Sequence, residues 1–370
     1  MKRSRKRERI YLYFNVKFAV NQAEMATMNG QFGFFDLANR YEQLSIQGDP
    51  LVRLNSVVDW KIFLPLINRA FYKARKSPAG RKPFNRLMMF KVLLLQGLYN
   101  LSDAQTEYQI KDRLSFMRFL GLSLGDAIPD EKTIWAYREV LAETQMLKRL
   151  FNRFDRYLGE KGLFAEFGHI VDASIVEVPK QRNSRSENAE IKAGDTPESF
   201  KENPNKLRQK DIDARWTVKG GKAYYGYKDH VNIDTKHKLI RSYEVTTAAD
   251  SDKWQLEKLL DDACGNENKV WADGAYFSEE QEACLAKKGY VSRILNRTKK
   301  FPEHSAIARE NRRRSKIRKR VEHVFGFIQN SMHGKFIRTI GMARAKVKIG
   351  LMNLVYNVCR YEQLCRIAAS

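Results

Sequence analysis

Between residues 86 and 99 the chain is apolar on nearly every side of a helical wheel, a pattern expected of a helix at the centre of a small bundle. Ser102 and Gln105 follow at capping-box spacing and open a helix over 102–112. Another apolar run, 114–120, stops at Gly121. Pro129 and Asp130 then introduce 131–143, where Ile134, Tyr137 and Leu141 recur at i, i+3 and i+7. Residues 28 to about 160 are therefore expected to form an all-α region, compatible with either a helix-turn-helix or an ordinary bundle.

From about residue 161 to 335 the pattern changes to alternating strands and helices. A buried-strand run, 168–179, ends at Pro179. Two further strands, 224–234 and 238–246, are expected to share a turn at Thr235 to His237. A helix over 252–263, a short strand at 269–272, a helix capped by Ser278 and Gln281, a last strand at 291–295 and a basic helix from Arg312 complete the zone. That order predicts an α/β fold with a mixed sheet. Residues 180–222 are polar with both signs of charge and read as a long insertion or mobile loop. The last zone, 336–370, carries one more amphipathic helix over 342–365.

Charge narrows the class of partner. The chain has 370 residues with 67 Lys plus Arg against 43 Asp plus Glu, a net +24. This excess calls for a polyanion, either nucleic acid or an anionic membrane surface. A hydrophobic content of 43% excludes a disordered chain, and no apolar run is long enough to span a bilayer. Residues 69–91 hold eight cations and no acid, and 301–350 hold 13 cations and three acids. The four cysteines have neither C-x-x-C spacing nor a neighbouring His, so a zinc site or disulfide framework is not expected. Residues 1–27 begin with six cations in nine positions and differ from the rest. They are read as a non-secretory, dispensable extension, with Met25 and Met28 as alternative starts.

Three acids carry candidate chemistry. Asp172 lies mid-strand among apolar neighbours, where an ionised carboxylate needs a partner or a cation. Asp273 sits at the carboxyl end of a short strand, where α/β proteins gather their ligands, although an Asp before Gly274 also makes an ordinary turn. Along a helix over 312–330, Val321, Val324, Phe325 and Ile328 fall on one stripe with Ile317. Ser315, Arg318, Glu322 and Gln329 flank that stripe, and Arg312, Lys316 and Lys319 face outward. Taken alone, Arg318 and Glu322 also describe an i, i+4 ion pair on a solvated helix. Taken together, three converging carboxylates repel one another unless hard divalent cations neutralise them, which selects Mg²⁺ or Mn²⁺. Such ions support displacement at a phosphodiester, a substrate that matches the basic surface.

These residues resemble the DDE transposases of bacterial insertion sequences, in the group that includes insertion sequences four and five and most like the latter. NGQFGFFDLANRYEQLSIQGDPL is similar to the group's opening, and 81–139 to its N-terminal helical domain. VDASIVEVP, DARWTVKGGKAYYGYKDHV, VWADGAYFS and IRKRVEHVFGFIQ resemble its catalytic segments in order. The resemblance implies a ribonuclease H-like catalytic domain over 161–335 and an all-α DNA-binding domain over 28–160. It makes Asp172, Asp273 and Glu322 the catalytic, metal-holding triad, 101 and 49 residues apart. The family's helix signature, Y-x₂-R-x₃-E-x₆-K, is met at Arg318 and Glu322 but carries Ser315 and Gln329 at its outer places, so Lys335 or Arg338 is a candidate for the lost charge. Lys228 and His230, in the motif YGYKDH, are expected near the DNA, with Arg318, Lys316 and Lys319 as further contacts; a basic strand end in solvent explains Lys228 and His230 equally well. His323 is expected at the surface.

The implied activity is cleavage and strand transfer at terminal inverted repeats by a homodimer on double-stranded DNA. Such a protein would work in the bacterial cytoplasm at the nucleoid, with no membrane partner. Three other readings fit parts of the sequence: a nuclease or junction resolvase on the same fold, a DNA-binding protein descended from a transposase, and a membrane-surface protein held by basic helices.

Overall fold

A computed structural model describes residues 33, 35–72, 82–163, 168–260, 268–296 and 305–369. Residues 1–27, with the proposed alternative starts, and much of the basic stretch 69–91 lie outside them. The chain divides into two compact units, Met1–Asp49 and Pro50–Ser370. In the first, helix α1 (Asp36–Ile46) opens where the Asp36 carboxylate accepts the Gly33 N–H at 2.7 Å.

The second unit begins with helices whose ends match the sequence signals. These are α2 (Pro50–Val57), α3 (Leu64–Ala70), α4 (Arg86–Leu98), α5 (Asp103–Asp112), α6 (Leu114–Leu120), α7 (Glu131–Glu143) and α8 (Met146–Glu160). Helix α4 is buried all round from Met88 to Gly97, and Asn85 caps it by accepting the Leu87 and Met88 N–H groups. At α5 both halves of the Ser102–Gln105 capping box are present. Helix α6 ends at Gly121, whose φ of 73° is the left-handed conformation that glycine adopts without strain. Ile134, Tyr137 and Leu141 of α7 all point into the core.

The C-terminal helix differs from its expectation. As α16 (Met342–Ala369) it is 28 residues long and hidden on all sides, not one, over most of Ala345–Val358. It packs against α2, α4, α7 and α8 as well as the sheet, which leaves its middle no solvent face. Its buried polar residues are used internally. Asn357 accepts the Ile240 N–H and donates to the Ile240 carbonyl, while Lys348 reaches the Gln96 carbonyl. Because of this packing, the helices from α2 to α8 share a hydrophobic core with the sheet, and a second cluster that includes Val171, Leu256, Val270 and Leu285 lies apart from it. A side chain at Gly350 would have no room: an added Cβ would lie 2.3 Å from Tyr243 Oη and 2.8 Å from a Leu147 methyl. Gly350→Ala is expected to lose about 1–3 kcal/mol of stability, read by chemical denaturation; an unchanged midpoint would refute the close packing.

Among the described residues six strands form the sheet: β1 (His169–Glu177), β2 (Arg215–Lys219), β3 (Lys222–Asp234), β4 (Ile240–Thr247), β5 (Lys269–Ala272) and β6 (Val291–Ser292). Their order is β2-β3-β1-β5-β6, with β4 also paired to β3. β3 is antiparallel to β1, β2 and β4, whereas β5 runs parallel to β1 and β6 parallel to β5. The sheet is therefore mixed, as the pattern predicts. Gly226 lets β1 and β3 approach, since a Cβ there would lie 2.2 Å from the Val176 carbonyl oxygen.

Residues 180–222 fold, rather than forming the mobile loop expected from their polarity. They contain α9 (Arg185–Ala193), α10 (Glu198–Lys201), α11 (Pro204–Gln209) and β2. Two apolar anchors, Ile191 and Phe200, are buried, and both carboxylate oxygens of Asp211 accept the Tyr227 hydroxyl at 2.8 Å. A few buried groups thus hold a polar segment whose composition gave no hint of order. The expected helix over 252–263 is a 3₁₀ turn, Asp252–Gln255, running into α12 (Leu256–Leu259), with 261–267 outside the described residues.

After α13 (Glu279–Lys287), the expected helix over 312–330 is three pieces. They are α14 (Ala306–Arg318), α15 (Val321–Gly326) and a π-turn at Phe327–Ser331. The junction tightens because Arg320, Glu322 and His323 donate to carbonyls three residues back rather than four. The buried stripe survives the break: Val321, Val324 and Ile328 are in the core, with Ile317 and Phe325 against it.

Candidate active site

Strand register brings the first two acids together. β1 and β5 pair in parallel with Val171 opposite Ala272. The next residue on each strand is an aspartate, so Asp172 and Asp273 emerge side by side where β5 ends, on strands about 4.8 Å apart. Asp172 is held mid-strand, its Oδ1 accepting the Ala173 N–H at 2.8 Å. Asp273 caps the 3₁₀ turn Gly274–Tyr276 by accepting the Gly274 N–H at 2.7 Å. Glu322 is exposed on α15, which is packed on β1 by Val321 and Val324. All three carboxylates line one cleft of about 440 Å³.

Arg318, at the end of α14, spans this cleft and donates to Asp172 Oδ2 at 2.5 Å. It is thus paired with Asp172 across 146 residues, not with Glu322 one turn away. Burial pushes the Asp172 carboxyl above its ordinary range. Arg318 and the Ala173 N–H pull it down, Asp273 raises it again and Lys219 lowers it slightly. Behind the pair lies Tyr276, whose buried hydroxyl has no hydrogen-bond partner among the described residues and whose ionisation is opposed by burial and by Asp172, Asp252 and Asp273.

Hard carboxylate oxygens, partly desolvated and repelling each other, suit a divalent cation such as Mg²⁺ or Mn²⁺. The fit is strongest for Asp172 and Asp273. Among the described residues no three His, Cys, Asp or Glu side chains are gathered closely enough to hold one ion. Glu322 lines the same cleft but stands apart from the aspartate pair.

The remaining candidates divide. Lys316 on α14 and Lys319 just past its end are exposed and do not line the cleft. Gln329 is committed to β1, donating to Ser174 Oγ at 2.7 Å. Lys335 lines the cleft beside Glu177, whereas Arg338 lies over the Phe336 ring outside it. Lys228 and His230 are not cleft residues. Lys228 donates to the Asp252 carboxylate and the Asp250 carbonyl. His230 is fully buried and bonded to Thr246 Oγ1, and burial draws its pKa down to about 4. A ring that is neutral and enclosed is unsuited to contact with a phosphate, because it offers neither charge nor access. His323 is exposed, as expected.

Ser174 and Glu177 of β1 line the cleft without having been singled out in the sequence, as do Lys219 and Tyr224. The last two lie near a distinct sequence signal. Both flank the tight turn between β2 and β3, where Gly220 and Gly221 have φ of 58° and 77°. A Gly-Gly pair between alternating residues is a hairpin signal, and it would have found them.

Residues 168–358, 191 of the 370, match a family model described as "Transposase DDE domain". The chain belongs to the DDE transposase family. Residues 38–140 match a second model, "Transposase domain (DUF772)", over the helical region. Among solved structures, the chain is similar to a piggyBac transposase in a cryo-EM synaptic complex with hairpin DNA. Identity is 10%, with 87% of this chain and 76% of that one covered at a TM-score of 0.45, a distant likeness on which nothing below depends. The cleft just described lies within residues 168–358, between the first strand and the helix that carries Glu322. No helix among the described residues is long and apolar enough to cross a membrane.

Proposed function

We propose that the protein is the transposase of a bacterial insertion element, in the group of insertion sequences four and five, and that Asp172, Asp273 and Glu322 are its catalytic acids. The observation that carries this reading is the β1–β5 register, which sets two aspartates side by side beneath the wall that carries Glu322. The strand order supports a ribonuclease H-like domain: an antiparallel group β4-β3-β1 is continued by parallel β5 and β6.

Mg²⁺ or Mn²⁺ held by the acids would neutralise them and stabilise charge on the phosphoryl oxygens. The chain's own groups do the rest. Asp172 holds a fixed position within β1 and Asp273 one at the end of β5, each tethered by a backbone N–H. Arg318 keeps Asp172 oriented and is placed to share its guanidinium with a phosphate oxygen. Lys219 and Lys335 add positive charge to the cleft walls for the polyanionic backbone. Hydrolysis at the element's terminal inverted repeats would expose a 3′-hydroxyl, and that hydroxyl would attack target DNA. Both are displacements at phosphorus without a covalent protein intermediate, so the cleft needs no Ser or Tyr nucleophile. The helices of 28–160 are the candidate reader of the repeats. Pairing of two ends implies a homodimer on double-stranded DNA, acting at the nucleoid in the cytoplasm.

The test is direct. Purified protein with Mg²⁺ is expected to bind its element's terminal repeat in preference to scrambled DNA and to nick it at the element boundary. Nicking of a branched junction without preference for the repeat would favour a resolvase. Repeat binding without any nicking would leave a DNA-binding protein and sink the enzymatic reading.

A further inference from the structure

A second concave site lies on the other flank of α15. It encloses about 370 Å³ between the β3–β4 turn, the α15–π-turn segment and one face of α16. Lys238, His323 and Phe327 face Tyr356, Cys359, Arg360 and Gln363, the last four at i, i+3, i+4 and i+7 along α16. Among the described residues no carboxylate lines it. Its cations bond neutral groups. Arg360 donates to the His237 carbonyl and to Gln363, and Arg320 alongside donates to the Thr235 carbonyl. Some half-buried cations elsewhere pair with acids, as in Arg138–Asp103, Arg241–Asp234 and Lys206–Glu187, while others, such as Lys91 and Lys210, also bond neutral groups. Burial, then Arg360 and Arg320, push the Lys238 ammonium below its ordinary range, so these like charges already act on one another. Lys238 also holds a left-handed backbone, φ 59°, which is uncommon for a residue other than Gly or Asn. The Tyr356 hydroxyl pins that turn by donating to the Lys238 carbonyl at 2.7 Å.

We propose that this pocket is a phosphate site: Lys238 and Arg360, with Arg320 and His323 at its edge, clamp a backbone phosphate of the DNA engaged at the catalytic cleft. An oxyanion would relieve the mutual repulsion of the cations, and the guanidinium and ammonium donors match its oxygens. Proximity to the cleft argues for DNA as the source. Consecutive residues of α15 face the two sites, Glu322 the cleft and His323 the pocket, so a duplex or strand leaving the cleft has the pocket within reach. This inference rests on the transposase reading for its ligand, but not for its test.

The full-length protein is titrated with terminal-repeat DNA over a range of salt concentrations and compared with Lys238→Asn, since Asn tolerates the left-handed turn while removing the charge. Affinity is expected to fall roughly tenfold, for specific and scrambled DNA alike, with a salt slope shallower by about 0.9. Lys238→Arg is expected to keep the wild-type slope. An unchanged slope in Lys238→Asn overturns the site, as does a wild-type protein that binds no DNA. Orthophosphate and a mononucleotide, scored by thermal shift, separate the sources. Saturable stabilisation of the wild type by either at sub-millimolar concentration, lost in Lys238→Asn, would assign the pocket to a free phosphate compound and overturn the DNA assignment. Wild-type nicking is scored in parallel. A loss of slope without nicking refutes the catalytic reading alone, and nicking with an unchanged slope refutes the pocket alone.

Discussion

Glu322→Gln protein is expected to bind terminal-repeat DNA as tightly as the wild type, or more tightly, and to nick it slower by at least two to three orders of magnitude. Removing one member of a preorganised charge-stabilising set typically costs about that much. Binding is spared for a local reason. Glu322 is exposed on the cleft wall, so an isosteric amide disturbs no packing and removes a negative charge that would face phosphate. The same change is expected to leave the thermal midpoint in place. A joint loss of binding and nicking would show that the side chain is structural. A variant that nicks at the wild-type rate would remove Glu322 from the catalytic set and leave the aspartate pair to be tested alone.

The second large effect concerns stability. Asp229, on β3, is enclosed between the sheet and α16, where Asn353 Nδ2 donates to its Oδ1 at 3.0 Å. Burial pushes its carboxyl up to about 7, against an ordinary 3.8, although Asn353 and Lys148 oppose the shift. The unfolded chain releases this proton near pH 4 and the folded one near 7. Between those values the native state holds more protons, so this group's contribution falls as pH rises through the window. The full cost, up to about 4 kcal/mol, is present above pH 7 and absent below pH 4. Among the described residues Asn353 Oδ1 is buried without a hydrogen-bond partner, and a protonated Asp229 would present a donor on the side chain to which Asn353 is already bonded.

Asp229→Asn supplies that donor permanently and removes the ionisation. It is expected to raise stability at pH 8 by about 1–4 kcal/mol, to change it little at pH 4, and to flatten the difference between the two. Urea denaturation of both proteins at pH 4, 6 and 8 checks this, with other titrating groups cancelling in the comparison. Lower stability of the variant at pH 8 would mean that the ionised carboxylate is satisfied in the fold.

The helical region was legible because its signals are local. A capping box, an Asp before a helix, a glycine after one and an apolar wheel act through the nearest turns of backbone, and Ser102, Asp130, Gly121 and 86–99 all behave as their neighbours dictate. The strands at 169–177, 222–234 and 240–247 were legible as apolar runs between turns. The insertion was not, because its order depends on Phe200, Ile191 and Asp211 reaching parts of the fold that composition does not describe. Helix α16 was misread for a related reason: Lys348, Asn353 and Asn357 are polar side chains that suggest solvent contact, yet each finds a partner inside. In YGYKDH Lys228 and His230 drew attention, whereas Asp229 between them is the carboxylate whose proton the fold holds by burying it.

By itself, then, the sequence determined the class of fold, the basic character of the chain and the three acids worth attention, since each is set by composition, periodicity or residue type. Tertiary structure alone decided how they meet. The parallel register fixes Asp172 beside Asp273, and a tightened turn at 318–321 separates α14 from α15. Arg318 then pairs with Asp172 rather than with Glu322. Those outcomes depend on side chains about 50 to 150 residues apart competing for the same few ångströms, and no local pattern encodes that competition.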